Sequence, residues 1–239
     1  MKEFDCVIIG GGPGGYAAAI RAAQEGLSVA LVEKEALGGT CLNWGCIPTK
    51  SLLHAADVLR QTRDAKALGV SIKGVDIDLA QMVKQSRDAA NQLSNGIAGL
   101  MRKHKITVFN ETAEILGVGQ VGLSESGELL ADAIVIATGA TPRKLPHINC
   151  ESDRIWSARE AMTPQFLPKR LLIVGAGAIG VEFASLYSAL GTKVTLIEAA
   201  ANVLPAEDEE ISTLAKAALS DEGIEIHTNT PLDALSGKK

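Results

Sequence analysis

Val7-Ile8-Ile9-Gly10-Gly11-Gly12-Pro13-Gly14-Gly15 returns later in the chain as Leu172-Ile173-Val174-Gly175-Ala176-Gly177-Ala178-Ile179-Gly180. Residues 7–34 align without gaps on residues 172–199, an offset of 165. Nine of these 28 positions are identical: Ile8/Ile173, Gly10/Gly175, Gly12/Gly177, Gly15/Gly180, Ala19/Ala184, Gly26/Gly191, Val29/Val194, Leu31/Leu196 and Glu33/Glu198. Each copy reads as strand, Gly-x-Gly-x-x-Gly turn, Ala-rich helix, strand and acid, the pattern of a βαβ unit with a parallel sheet. The predicted strands are residues 4–9 and 28–33, then 171–174 and 193–198. In such a turn the first glycine lets the chain leave the strand tightly and the second lets backbone approach a pyrophosphate. The third lets the helix pack closely, and the helix N-terminus presents N–H groups and a positive dipole end. Glu33 and Glu198 each lie 23 residues past the first glycine of their copy. An acid there accepts ribose hydroxyls and repels a 2′-phosphate. The plainer reading gives the glycines packing roles alone; agreement of turn, flanking elements and acid in both copies favours nucleotide binding.

The 239 residues are 46% hydrophobic and 21% charged, enough apolar material for a buried core and too little charge for disorder. At about 150 residues per domain this is one large domain or two small ones. Aromatic residues are only 3% beside 24 glycines, which argues against an aromatic-filled β-sandwich. A net charge of −5 with scattered Lys and Arg lacks the basic stripe of a nucleic-acid binder. The apolar run at residues 6–9 stops far short of a secretory signal, and no stretch approaches the ~18 apolar residues of a membrane span. The expectation is a cytoplasmic protein with no nucleic-acid or membrane partner. Four cysteines are too few for a disulfide scaffold, so a pair that matters is catalytic or metal-binding.

Between the copies, residues 78–104 repeat Leu79, Met82, Ser86, Ala89, Leu93, Gly96 and Leu100 at helical spacing. They predict a long amphipathic helix packed on the sheet. Residues 106–109, 112–116, 120–123 and 128–130 predict short strands of a small antiparallel layer. Residues 133–137 predict a fully apolar strand ending in Thr138-Gly139. Residues 141–169, with four of the eight prolines, read as a linker. Residues 207–222 predict a helix whose acidic start caps it, and residues 223–227 begin another strand. Cys6 reads as a core residue and Cys150 as an ordinary thiol. His54, His104, His147 and His227 read as surface or packing residues.

The second chemical feature is Gly38-Gly39-Thr40-Cys41-Leu42-Asn43-Trp44-Gly45-Cys46-Ile47-Pro48-Thr49-Lys50, with two cysteines separated by four residues. Zinc sites use tighter pairs and four ligands, and a structural disulfide is disfavoured in a reducing compartment. If the pair opens a helix, the helix dipole lowers a thiol pKa and suits a redox-active disulfide.

Together these residues resemble the FAD-dependent pyridine nucleotide disulfide oxidoreductases, and among them the dihydrolipoamide dehydrogenase branch. The resemblance covers essentially the whole chain. It rests on residues 10–15, on residues 38–50, on Ala137-Thr138-Gly139-Ala140-Thr141-Pro142, and on residues 175–182. It implies an α/β fold of two Rossmann-like units, FAD-binding then NAD-binding, with parallel sheets, a small antiparallel β layer and an incomplete second unit. The implied domains are residues 1–147 for FAD and residues 148–239 for part of the NAD domain. Cys41 and Cys46 are implied to form the redox disulfide, with Cys46 nearest the flavin in a charge-transfer contact and Cys41 exchanging with the dithiol. Lys50 is implied to lie near flavin N5 and to pair with Glu182. FAD contacts fall to Gly10, Gly12, Gly14, Gly15, Glu33, Lys34, Gly39, Thr40, Lys50, Ala113, Thr138 and Gly139. NAD contacts fall to Gly175, Gly177, Ile179, Gly180 and Glu198. Ala199-Ala200-Ala201 after Glu198 lacks the arginines of related NADP enzymes, which favours NAD.

The implied reaction is oxidation of dihydrolipoamide with reduction of NAD. The implied partners are the lipoyl domains of 2-oxo acid dehydrogenase or glycine cleavage complexes. A related NAD(P)H-dependent disulfide or mercuric reductase, and a non-catalytic nucleotide-binding fragment, are the alternatives. Relatives of this kind run to roughly twice this length. The chain then lacks the rest of the NAD domain, the later FAD segment with its Gly-Asp motif, and the interface domain of the family's homodimer. The family's His–Glu base comes from that interface domain, and no His here matches it. A parallel sheet ending after two or three strands leaves open edges and an uncovered apolar face, so weak FAD retention and impaired turnover are expected of this chain alone.

Overall fold

In the computed structural model, which describes residues 1–142 and 153–232, each copy of the repeat folds as a βαβ unit. The first consists of β1 (Lys2–Ile9), α1 (Pro13–Gln24) and β2 (Val29–Val32). Pro13 opens α1 where a missing N–H is tolerated, and Gly26, at φ 90°, ends it in the left-handed conformation. All four residues of β2 are buried, as an apolar run between two parallel neighbours should be. Next come α2 (Gly39–Trp44), α3 (Cys46–Asp64) and α4 (Leu79–Lys103), then β3 (Thr107–Phe109), β4 (Ala113–Gly117), β5 (Gln120–Leu123) and β6 (Gly127–Ile136). One six-stranded sheet results, in the order β3-β2-β1-β6-β5-β4. β3, β2, β1 and β6 run parallel; β5 and β4 continue it antiparallel.

Two expectations are corrected here. Residues 128–130 and 133–137 are not separate strands but parts of β6, which pairs with β5 through its start and with β1 through most of its length. Asp132 breaks the apolar pattern in the sequence, yet its exposed side chain leaves the ladder intact. The end of β6 is also less buried than an apolar run suggests, with Val135 and Ile136 36% and 66% exposed. The antiparallel strands still form a layer. Val121, with Ala113 and Leu123 beside it, packs on Val7, Ala30, Val32 and Phe109 of the parallel strands. On the other face, Ala19 of α1 and Met101 of α4 pack with Ile8 and Leu31.

α4 follows a different stripe from the predicted one. Leu79, Met82 and Ser86 face inward, but Ala90, Ser94, Ile97 and Met101 take over from Ala89, Leu93, Gly96 and Leu100. The predicted line has a strict 3.5-residue period, whereas a straight α-helix turns every 3.6. The mismatch of about 20° per heptad moves the buried face by one residue.

The remaining described residues form α5 (Ala158–Met162), β7 (Arg170–Val174), α6 (Ala178–Ala189), β8 (Lys193–Ile197), α7 (Glu209–Asp221) and β9 (Glu225–His227). α5 lies in the predicted linker and carries a full capping box of Ser157 and Glu160. Asp208 caps α7 by accepting from the Glu210 N–H at 2.8 Å. β7, β8 and β9 make a parallel three-stranded sheet with β7 at one edge, where Leu172 and Val174 stay exposed.

Met1–Pro48 with Arg87–Pro142 form one compact unit, and Thr49–Ser86 with Arg143–Lys239 the other. The second has its own core, in which Leu52, Ala56 and Leu59 of α3 meet Phe183, Ala184 and Tyr187 of α6. The expected boundary between residues 147 and 148, with His147 and Cys150, lies outside the described residues.

Candidate functional site

The two glycine turns are built alike down to single hydrogen bonds. Gly10 N–H donates to Val32 O, and Gly175 N–H to Ile197 O, both at 2.8 Å. A Cβ on Gly15 would stand 1.7 Å from Gly10 O, and one on Gly180 1.9 Å from Gly175 O, so only glycine admits the helix so close to the strand. Glu33 Oε2 accepts from Gly11 N–H at 2.6 Å and its Oε1 from Glu35 N–H at 2.8 Å. Glu198 repeats this with Ala176 N–H at 2.7 Å and Ala200 N–H at 2.8 Å. Each carboxylate therefore braces its glycine turn and keeps lone pairs for an incoming hydroxyl.

A dinucleotide fits both turns. Gly12 and Gly177 cap their helices without a side chain, so no side-chain oxygen at the cap takes the first helical N–H groups. A Cβ on Gly177 would meet nothing within 4 Å, and one on Gly12 only Gly39 Cα at 3.7 Å. Backbone N–H groups beside open space are what a pyrophosphate needs. Gly10 also touches the end of β6: a Cβ there would fall 2.2 Å from Ala137 O and 3.0 Å from Thr138 N. Thr138 and Gly139 are thus brought to the first turn. No described backbone takes that place beside Gly175. Gly14 and Lys34 are exposed near the same turn, and Ile179 is exposed in the first turn of α6. Ala113 opens β4, the far edge of the hydrogen-bonded order, and returns to the β2 side through the folded-over layer.

The cysteine segment begins against the first turn. Gly38 N–H donates to Gly11 O at 2.8 Å, and a Cβ on Gly39 would come 2.7 Å from Gly12 Cα. Thr40, exposed, and Cys41, half-buried, lie in the first turn of α2; Cys46, exposed, is the first residue of α3. Both cysteines stand as thiols. Gly45 makes the fold between the helices possible, because a Cβ there would come 2.9 Å from Thr40 O and 3.2 Å from Cys41 Cα. Four turns of α3 follow, and in the second unit its Lys50 Nζ lies 3.2 Å from Glu182 Oε1. With side chains 65% and 31% exposed, this ion pair adds at most about 1 kcal/mol of stability; its value is in placing an ammonium.

The pattern of the pyridine nucleotide-disulphide oxidoreductases matches residues 4–239. The chain belongs to this family. It is 45% identical over 238 residues to a dihydrolipoyl dehydrogenase of Zymomonas mobilis, covering 98% of this chain and 51% of the relative. It is 41% identical over 230 residues to one from Bacillus subtilis, covering 94% and 50%. Among solved structures, LpdA from Mycobacterium tuberculosis superposes with a TM-score of 0.88 at 26% identity, over 98% of this chain and 52% of that one. The HOCl-induced flavoprotein disulfide reductase RclA from Escherichia coli gives 0.83 at 31%, over 98% and 51%. The chain spans about half the length of the curated relatives it matches.

For a pyridine nucleotide-disulphide oxidoreductase, three residues of this site escaped the sequence reading. Asn43 is buried, and its Nδ2 donates to Leu37 O at 3.0 Å and Gly39 O at 3.1 Å. Ser94 Oγ donates to Leu37 O at 2.8 Å. Arg87 Nη1 donates to Asn43 O, and its guanidinium carbon lies 4.3 Å from the Trp44 ring centroid. Asn43 and Trp44 lie between the cysteines and could have been suspected; Arg87 and Ser94 are distant in sequence and carry no motif. A depression of about 590 Å³, lined by Glu3, Asp5, Ser28 and Asp132, opens at the amino-terminal ends of β1 and β2, beside the middle of β6. Nucleotides bind beyond the carboxyl ends of such strands, so it is not the site. Cys6 is buried, and burial pushes its thiol pKa up, as a core residue requires. His227 is paired with Glu225 at 3.0 Å. Among the described residues no helix is long and apolar enough to cross a membrane, and no group of His, Cys, Asp and Glu could hold a metal ion.

Proposed function

We propose that this chain carries the dithiol half of a dihydrolipoamide oxidation linked to NAD, with residues 1–147 binding FAD and residues 148–239 the nicotinamide nucleotide. One observation supports the reading above others: the segment holding Cys41 and Cys46 starts directly on the dinucleotide turn, through Gly38 N–H to Gly11 O at 2.8 Å. Gly10, Gly12, Gly15 and Glu33 would hold FAD; Gly175, Gly177, Gly180 and Glu198 would hold NAD. FAD, when bound, supplies a two-electron acceptor between the thiol pair and NAD.

The protein's own chemistry starts from the Cys41–Cys46 disulfide. A dihydrolipoamide thiolate attacks Cys41 Sγ, the Cys41–Cys46 bond breaks, and Cys46 leaves as thiolate at the amino-terminal end of α3, where a helix favours an anion. The second substrate thiolate attacks the substrate sulfur of the mixed disulfide. Cys41 leaves, and cyclic lipoamide departs. The substrate has lost two electrons and two protons; the pair has gained the electrons, Cys41 takes one proton as it leaves, and solvent takes the other. Lys50, held by Glu182, keeps an ammonium one helical turn past Cys46 on α3. Glu198, followed by Ala199-Ala200-Ala201, suits NAD over NADP. A lipoyl-bearing protein is the proposed partner, and the cytoplasm, which keeps dithiols cycling, the proposed compartment.

The test is single-turnover exchange. The oxidised chain should convert dihydrolipoamide to lipoamide stoichiometrically, and Cys41→Ser or Cys46→Ser should abolish this while circular dichroism stays unchanged. Exchange retained by either variant contradicts the assignment. Likeness to the Escherichia coli disulfide reductase supports a second reading, reduction of a disulfide. Faster reaction of the pair with glutathione than with dihydrolipoamide would favour it.

A further inference from the structure

We propose that Arg87 is a positioning residue for the cysteine pair: it holds the carboxyl-terminal end of α2 and so sets the dithiol–disulfide equilibrium of Cys41 and Cys46. The proposal rests on the redox reading of that pair. α2 has six residues, far fewer than the ~12 that an isolated helix needs to persist in water. Its geometry must therefore come from outside. At its start, the Gly38 N–H bond to Gly11 O, the Ser94 hydroxyl on Leu37 O and the Asn43 amide on Leu37 and Gly39 carbonyls fix the chain. At its end Arg87 reaches in from α4. The guanidinium donates to Asn43 O, one of the carbonyls a helix end leaves unpaired, and its plane covers the Trp44 ring at 4.3 Å.

The position matters because Asn43 and Trp44 lie between the two thiols. Gly45 brings the chain back within 3.2 Å of Cys41 Cα, counted from the Cβ it lacks, before Cys46 starts α3. Any loosening of the end of α2 moves Cys41 relative to Cys46. A fixed cation also opposes the negative dipole end of α2, and Arg keeps its charge through the cycle. Arg87 is itself half-buried, and desolvation lowers its pKa, so it needs the carbonyl and the ring that it finds here. Arg87 and Ser94 lie on the same α4 stripe, so one helix grips both ends of the cysteine-bearing turn.

The test equilibrates the purified chain with dithiothreitol buffers, in which the reagent gives two electrons and two protons to the pair and closes its own cyclic disulfide. Thiols are then alkylated, and the 35–50 tryptic peptide, which contains both cysteines, is weighed. Arg87→Met should shift the equilibrium about tenfold towards the dithiol, which is about 30 mV for a two-electron couple. Trp44→Leu should shift it about threefold the same way, and Arg87→Lys should fall between Arg87→Met and wild type. Lys103→Met, on an exposed residue of α4, should leave it unchanged. An Arg87→Met that melts earlier but keeps the wild-type equilibrium overturns the proposal. If Arg87→Met does not fold, an unshifted equilibrium in Trp44→Leu and Arg87→Lys overturns it. A wild-type pair that forms no disulfide in any buffer overturns both this proposal and the redox reading. A wild-type pair that titrates while the variants match it overturns this proposal alone.

Discussion

Glu33 and Glu198 each brace a glycine turn, a part that their residue type alone does not announce. The sequence marks them as ribose ligands by their distance from the glycine turn. The structure adds that their oxygens take the N–H of Gly11 or Ala176 and of the residue two places on. That second role was not legible, because it depends on the direction of backbone N–H groups rather than on residue type. Replacing Glu198 with Ala removes the acceptor from both donors. Glu198→Ala should lower NAD affinity by tenfold or more and destabilise the second unit by about 1–3 kcal/mol, read by calorimetric titration and thermal melting. Glu198→Gln keeps one acceptor oxygen and should lose less of both. A variant that loses NAD binding with no change in melting would show that the brace contributes nothing.

At the scale of elements, periodicity carried the reading where one face of an element is buried and drifted where burial changes along it. β2, buried throughout, was legible to within a residue at each end. β6 was not, since Asp132 looks like a terminus but faces outward within a continuous ladder. In α4 the difference between 3.5 and 3.6 residues per turn shifted the buried stripe by one position. α6 packs on both sides, and its Tyr187 is fully buried, with the hydroxyl donating to Ala161 O at 2.8 Å. Burial pushes the Tyr187 phenol well above its ordinary 10.0. A raised folded pKa gives stability that is complete below the unfolded value and lost as pH rises towards the folded one. Urea midpoints should therefore fall between about pH 9 and about pH 11. Tyr187→Phe should flatten that fall while costing about 1 kcal/mol near neutral pH. A fall that persists in full in Tyr187→Phe would assign it to other groups.

For the whole molecule, two compact units each carry a βαβ glycine turn, which the 165-residue repeat already announces in the sequence. Within the second unit, Arg60 and Arg63 of α3 reach α6 and α7, through Ser185 O at 2.8 Å, Glu222 at 2.9 Å and Ala189 O at 2.7 Å. These hold the second unit's part of α3 to α6 and α7, and no motif foretold them. The residue-level network around Asn43 was likewise hidden, whereas the cysteines themselves were plain from their spacing. The account turns on those two cysteines being one reversible couple. Its most direct test is to oxidise the purified chain, alkylate remaining thiols, and weigh the 35–50 tryptic peptide before and after one equivalent of dihydrolipoamide. The account predicts an unalkylated peptide, lighter by two hydrogens than the dithiol form, that becomes doubly alkylated after the substrate is added. Cys41 and Cys46 both alkylated in the oxidised sample, or joined instead to Cys6 or Cys150, would contradict it.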